Sequence, residues 1–386
     1  MKLKLAYSDF VSALKYASTV LSDSSLKSKV VIITASAEKV DITAYSPLAF
    51  MRVGLEAFDY EGEGTWQFQL NYEDLYHLLN SFSNLYKTQA VDIAFEDDGV
   101  KILTSVTEEA IDPDDSALAQ IVKFYLTAVP IKKSISDEIS TEYMGELEVV
   151  SSSALLMYLS SLIPLMANDA NGSMVNQINF ESDYVFIMKN NIAAFFKNKL
   201  PQAFEGISLR YSNVNILKKL AENYEDLDVG RDENSLYVQA DNIQAFIRFV
   251  PNKYKYDKYV QDLSNEHGIV VDRKYFRNVL KRLSYTGTDA TFSFEDGALL
   301  VCNDDFSQQV ALNNSKGDIA GVVFSAPVNI ILKMLVGDDN TFPEELFIYL
   351  KPGGTGYIVH MMDGSGAWFS SVQVRRSRDD TSSLSK

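Results

Sequence analysis

One short pattern recurs six times along this chain: a strand-like run of roughly five residues, a polar capping residue, then an amphipathic helix of about three turns. The strand-like runs are Lys2 to Ala6, Trp66 to Leu70, Glu146 to Val150, Ile207 to Tyr211, Gly268 to Val271 and Gly321 to Phe324. Ser8, Asn71, Ser152, Ser212, Asp272 and Ser325 follow them, types whose side-chain oxygens satisfy the free amides of a first helical turn. Pro327 then falls where a first-turn proline loses no hydrogen bond. A repeat of this kind constrains the fold more than any single motif, because each unit must bury one helix face and one sheet face against its neighbours.

The apolar spacing within the helices defines those faces. Phe10, Leu14, Ala17 and Leu21 form the first, Leu75, Leu78, Leu79 and Phe82 the second, and Phe276, Val279, Leu280 and Leu283 the fifth. Between helices the chain alternates as β-hairpins. Val91 to Phe95 turns through Glu96-Asp97-Asp98-Gly99 into Val100 to Ser105, and Thr291 to Phe294 turns through Glu295-Asp296-Gly297 into Ala298 to Cys302. Two units together make an α+β domain with β-rich layers and two helices side by side, and three such pairs fill the 386 residues. The polar connector Ser134 to Gly145 and the Tyr/Lys/Asp-rich segment Pro251 to His267 predict domains over 1–133, 145–252 and 266–377. Residues 378–386 are charged and serine-rich, and the end of the chain from Arg375 reads as a frayed, flexible tail.

Composition limits what such a domain array does. A net charge of −17 argues against coating nucleic acid by general attraction, so any contact with DNA has to come from a local concentration of Lys and Arg. A single cysteine, Cys302, excludes an intramolecular disulfide and any multi-cysteine metal site, in keeping with a reducing compartment. The beginning of the chain has no apolar run suited to a signal peptide, and no stretch approaches a membrane span, so the expectation is a cytoplasmic protein.

No catalytic constellation is legible. His77, His267 and His360 are far apart in sequence, with no Ser-His-Asp or Cys-His arrangement to nominate. Asp112, Asp114 and Asp115, and Asp338 with Asp339, lack both EF-hand spacing and a histidine partner and read as solvated turns. Lys351-Pro352-Gly353-Gly354-Thr355-Gly356 lacks the Gly-Lys-Ser/Thr ending of a phosphate-cradling loop and reads as a hairpin turn. The expectation is a protein that is not an enzyme and holds no cofactor or metal.

The sixfold unit over residues 1 to 377 resembles the bacterial β-type sliding clamp, the DNA polymerase III β subunit family. Ala298-Leu299-Leu300-Val301-Cys302-Asn303-Asp304-Asp305 is similar to a third-domain strand and turn of that family. Asp41-Ile42-Thr43-Ala44-Tyr45-Ser46 holds the like place in the first domain, and Tyr254 to Leu263 is similar to the segment before the third. The resemblance implies the DNA clamp fold, with three similar domains, each of two β-α-β-β-β units. It also implies a head-to-tail homodimer ring with helices lining the hole and sheets outside, in a divergent and conceivably phage-encoded member. Such a ring is a processivity factor: it encircles duplex DNA without sequence preference and tethers a polymerase and a clamp loader through short peptides, in a bacterial nucleoid or an infected host's cytoplasm. A β-rich structural or assembly protein, such as a viral shell component, shares the acidity and repeats, and an enzyme without a sequence signature is the third reading.

Under the resemblance, the helix faces opposite the core are DNA-facing. The fifth helix offers Lys274, Arg277 and Lys281, flanked by Arg273 and Arg282; Lys15, Lys218, Lys219 and Lys333 lie on other helices. The solvated-surface alternative holds for each taken singly. The second and third helices offer His77, Asn80 and serines, and the loop Asn168 to Met174 has no basic residue. The family's partner-peptide cleft corresponds to Val175, Asn176, Asn191, Ile192, Ala194, Tyr256, Val260 and Val372, for which the alternative is ordinary core packing. Two departures stand out: the family subunit ends near the strand of Val372 and Val374, and Asn190-Asn191 replaces an Asp-Gly-like turn.

Overall fold

The computed structural model describes residues 2–22, 26, 29–37, 39–83, 88–96, 99–106, 122–127, 129–130, 143–166, 176–189, 192–253, 255–256, 260, 266–295, 297–335, 344–380, 382 and 384. Of the nominated features, Val175, Asn191, the loop Asn168 to Met174 and the acidic clusters at 112–115 and 338–339 lie outside the described residues.

The repeat is present in three dimensions as strand followed directly by helix. The helices are α1 (Tyr7–Leu21), α2 (Tyr72–Ser83), α3 (Ser152–Leu162), α4 (Tyr211–Ala221), α5 (Arg273–Thr286) and α6 (Val328–Met334). Their apolar faces are core: Phe10, Leu14, Ala17 and Leu21 of α1, Leu75 and Leu79 of α2, and Phe276, Val279, Leu280 and Leu283 of α5 are buried. Leu78 is half-buried, and the side chain of Phe82 is outside the described set.

The caps are less regular than the sequence predicts. Asn71 Oδ1 accepts from the amides of Glu73 and Asp74 at 2.8 and 3.2 Å, and Asp272 accepts from Tyr275 N at 2.6 Å, as expected of N-caps. Ser8, Ser152 and Ser212 lie inside their helices instead. Ser325 is in the strand Val323–Pro327 with its hydroxyl 3.5 Å from that of Thr291, and Pro327 takes the cap position itself. The first helical amides are paired with backbone of neighbouring segments: Ser152 N donates to Glu225 O at 2.9 Å and Val328 N to Thr288 O at 2.9 Å.

The described chain falls into two compact units, Met1–Ser152 with Ser212–Phe249, and Ser153–Tyr211 with Val250–Lys386. The first holds a five-stranded antiparallel sheet around the strand Lys2–Ala6 and a nine-stranded one. The nine-stranded sheet runs through Val30–Ala35, Val40–Tyr45 and Ala49–Leu55 into Ile243–Arg248, Ser235–Ala240 and Asp226–Arg231, and ends on Glu148–Ser151. In the second unit one large sheet passes from Gln177–Phe180 through Tyr184–Lys189 and Ile192–Lys197 to Trp368–Arg376, where it branches. The two predicted hairpins form with Glu96 opposite Gly99 and Glu295 opposite Ala298, and the Gly-rich segment is a turn with Gly353 opposite Gly356.

The tail departs from the fraying expected of it. Asp380 and Ser382 are buried against Tyr357, whose hydroxyl donates to Asp380 and lies 2.9 Å from Ser382 Oγ. Arg376 pairs with Asp380 at 3.2 Å and stacks its guanidinium over the Tyr357 ring, 5.2 Å from the centroid. Burial alone would raise the Asp380 pKa, but hydrogen bonds from Tyr357 and Ser382 and the Arg376 charge outweigh it and hold the carboxyl below its ordinary value.

Candidate functional site

Two surfaces gather the nominated residues, the outward face of α5 and one face of the large sheet in the second unit. At about 100° per residue, Lys274, Arg277 and Lys281 fall within about 60° of one another, opposite Phe276, Val279, Leu280 and Leu283. The structure agrees: Lys274 and Lys281 are exposed, Arg277 is half-buried, and Arg282 is exposed with its Nη1 donating to Gln308 Oε1 at 3.2 Å. Arg273 does not belong with them. It is 2% exposed and lies over the Trp368 ring, 5.5 Å from the centroid, because as the first residue of α5 it turns toward the sheet and not the polar face. Tyr285 was missed by charge-led reading; it is 87% exposed and follows Lys281 by one turn on the same stripe.

The other nominated cations are dispersed. Lys333 is exposed in the last turn of α6, which packs beside α5. In the first unit Lys15 is exposed on α1, while Lys218 and Lys219 are half-buried on α4 and Lys218 pairs with Glu222 at 3.4 Å. His77 is exposed on α2.

The second surface is aromatic. On one face of the large sheet, Phe195 and Phe369 are direct cross-strand partners stacked at 4.6 Å, and Phe186 stacks on Phe195 at 5.1 Å. Tyr256 covers the edge of this stack, 5.2 Å from Phe186 and 5.8 Å from Tyr184, and Met188, Val260 and Met362 pack around it half-buried. The result is an apolar surface built from four strands and a connecting segment, with five partly exposed side chains at its rim.

The whole chain, compared with solved structures, matches DNA polymerase III β subunits throughout its length. That of Thermotoga maritima covers 97% of this chain and 99% of its own, with 15% identity and a TM-score of 0.75. That of Caulobacter crescentus covers 98% and 100%, with 11% identity and a TM-score of 0.76. The sliding clamp of Bartonella birtlesii bound to griselimycin covers 98% and 100%, with 14% identity and a TM-score of 0.75. The fold is that of the β sliding clamp. No protein-family model and no curated protein matches the sequence, so the likeness is carried by structure and the sequence is that of a divergent clamp fold.

Within the clamp fold the residues nominated for a peptide cleft divide between two sides of one sheet. Tyr256 and Val260 are on the aromatic face. Ile192 and Val372 are cross-strand partners, and they share the opposite, core-facing side with Ala194, Phe196 and Trp368. Ala194 and Val372 are 1% and 2% exposed and Ile192 is half-buried, so Ala194 and Val372 are packing residues. Asn176 is buried as well. The side chains that do join Tyr256 are one position away in the strand, Ala193 and Phe195, with Phe186 and Phe369. A one-residue slip in matching a strand moves every side chain to the other face. The alternation Tyr184, Phe186, Met188 is the sequence signal of the aromatic face.

Among the described residues, no group of three His, Cys, Asp or Glu side chains is arranged to hold a metal, and no helix is long and apolar enough to cross a membrane. His360 is buried with its Nδ1 2.6 Å from Ser371 Oγ.

Proposed function

We propose that this protein is a sliding clamp: a non-catalytic processivity factor whose three domains, 1–133, 145–252 and 266–377, close head to tail with those of a second copy into a ring around duplex DNA. The observation that carries the reading is the full-length likeness to clamp structures, 97% of this chain at a TM-score of 0.75. The basic stripe of α5, directed away from its core, supports it, since sliding needs weak phosphate attraction that ignores sequence. A closed ring holds DNA by linkage, so a net charge of −17 is compatible with tenacious retention. The aromatic face of Phe186, Phe195, Phe369 and Tyr256 is the surface for extended peptides of a polymerase and a loader, in a bacterial or infected cytoplasm.

Loading onto nicked circular DNA tests the mechanism. The protein stays on the circle and is lost when the circle is cut; retention that ignores linearisation rejects the reading. Solution mass checks the ring, with a species near twice 43.2 kDa expected. Replacing Lys274 and Lys281 together by Glu reduces the slope of log affinity against log salt by about 2, read from DNA-binding titrations at several salt concentrations.

A further inference from the structure

The first unit contains a second sheet face built like the aromatic one, and the function proposed above makes no use of it. Its strands Ala49–Leu55 and Ile243–Arg248 pair so that Phe50 and Phe246 are direct partners, as Phe195 and Phe369 are in the second unit. Tyr45 lies opposite Phe50 and Tyr237 opposite Phe246, which makes a row of four aromatic residues across four strands. Tyr143, from the connector, stacks on Tyr237 at 4.9 Å and 10°. It is fixed there: Arg231 N donates to its hydroxyl at 2.9 Å, and the hydroxyl lies 3.2 Å from the Arg231 carbonyl. Gly230 makes room for the ring, since a Cβ at that position would come within 2.4 Å of it.

Tyr143 caps the row at the Tyr237 end; the other end is the half-buried Tyr45, and Phe50 and Phe246 between them are 4% and 7% exposed. A cavity of about 700 Å³ has the edges of Phe50, Phe246 and Phe249 in its lining, and a second of about 420 Å³ has Tyr143 and Tyr237 in its lining. Those volumes are in the range that holds a few side chains of a ligand. The two rims differ in charge. At the smaller cavity Lys39 is tied to Asp41 at 3.0 Å, and the Arg52 guanidinium lies 5.8 Å from the Phe50 centroid, so its cations already have partners in the chain. In the lining of the larger one the exposed Asp232 and Glu233 outnumber Arg248, and the neighbouring Arg231 is engaged over the Phe249 ring, 4.9 Å from its centroid, so the excess in the lining is negative.

The geometry points to a second peptide-binding groove: an extended segment of a partner protein sets an apolar or aromatic side chain against Phe50 and Phe246 and a neighbouring Lys or Arg against Asp232 and Glu233. This groove is separate from the aromatic face of the second unit and stands whether or not that face binds peptides.

A displayed random-peptide library panned on the full-length protein tests it. The expected yield includes a class of peptides with a large apolar residue beside Lys or Arg. Their affinity falls at least tenfold in Glu233→Arg and in Ser46→Trp, which fills the larger cavity, and is unchanged in Met188→Asp. Glu233 is exposed and Ser46 half-buried in the cavity lining, and an unchanged thermal melt verifies that each variant folds. The groove is overturned if no peptide is selected, or if no selected peptide responds to either cavity variant. Binding lost only in Met188→Asp overturns the groove too, while leaving the partner surface of the second unit intact.

Discussion

The two aromatic sheet faces have the same strand-level construction and different finishes. In each, two strands from distant parts of the sequence pair through a Phe–Phe couple, and a tyrosine from a connecting segment packs on the row. The second unit's couple is stacked at 4.6 Å and 14°, and Tyr256 covers the side that comes earlier in the chain, over Phe186 and Tyr184. The first unit's couple is edge-on at 6.1 Å and 67°, and Tyr143 covers the side that comes later, on Tyr237. Which arm is covered is therefore a matter of where the connector tyrosine lands, and the Tyr143 seat has Gly230 beneath it. Repetition supplies the platform, and single side chains decide which part of it is covered.

The largest effect expected from breaking this comparison is at Phe195. Truncation to Ala removes the centre of a stack that is 0% exposed and costs about 3–5 kcal/mol, read by denaturant unfolding. Gly230→Val attacks the feature peculiar to the first face. The added Cβ displaces Tyr143 at a cost of about 1–3 kcal/mol, and hydrogen exchange at the Arg231 amide, which donates to the Tyr143 hydroxyl, speeds up. Met188→Asp places a charge on the rim of the second face and weakens polymerase-peptide binding by about tenfold, or 1.4 kcal/mol, in a titration, whereas Met144→Asp, a 90% exposed position in the first unit, leaves it unchanged.

The smallest effect concerns the tail lock, which only the second unit possesses. A carboxyl whose pKa is lowered on folding contributes stability above its unfolded value and loses it as pH falls through the folded one. The Asp380 contribution, on the order of 1 kcal/mol, is thus complete at neutral pH, begins to fall at about pH 4 and is lost as the pH drops through the lower folded value. Asp380→Asn removes that acid dependence, and the difference between the two melting profiles should close as the pH is lowered.

Much of the fold was legible because it is written in short-range patterns. The spacing of Phe276, Val279, Leu280 and Leu283 names both a helix and its buried side, and with it the outward stripe of Lys274 and Lys281. Arg273 escaped the pattern because the first residue of a helix still follows the strand before it, and Trp368, far away in sequence, offers its ring to the guanidinium. The aromatic face was half legible. Tyr256 and Val260 pack on it, whereas Ile192, Ala194 and Val372, nominated with them by matching a strand to a family segment, lie on the opposite side of the sheet. Asp380 and Ser382 read as tail by composition, and no local signal announces that Tyr357 will receive them.

What the sequence determined alone is the sixfold strand-to-helix unit, the apolar side of each helix and the hairpins between them, since period and turn chemistry act over a few residues. Tertiary structure alone decided that Phe50 meets Phe246 and Phe195 meets Phe369, and on which side of each pair a tyrosine settles. Those contacts join residues 196 and 174 positions apart, and their register is set by the whole ladder of backbone hydrogen bonds between paired strands.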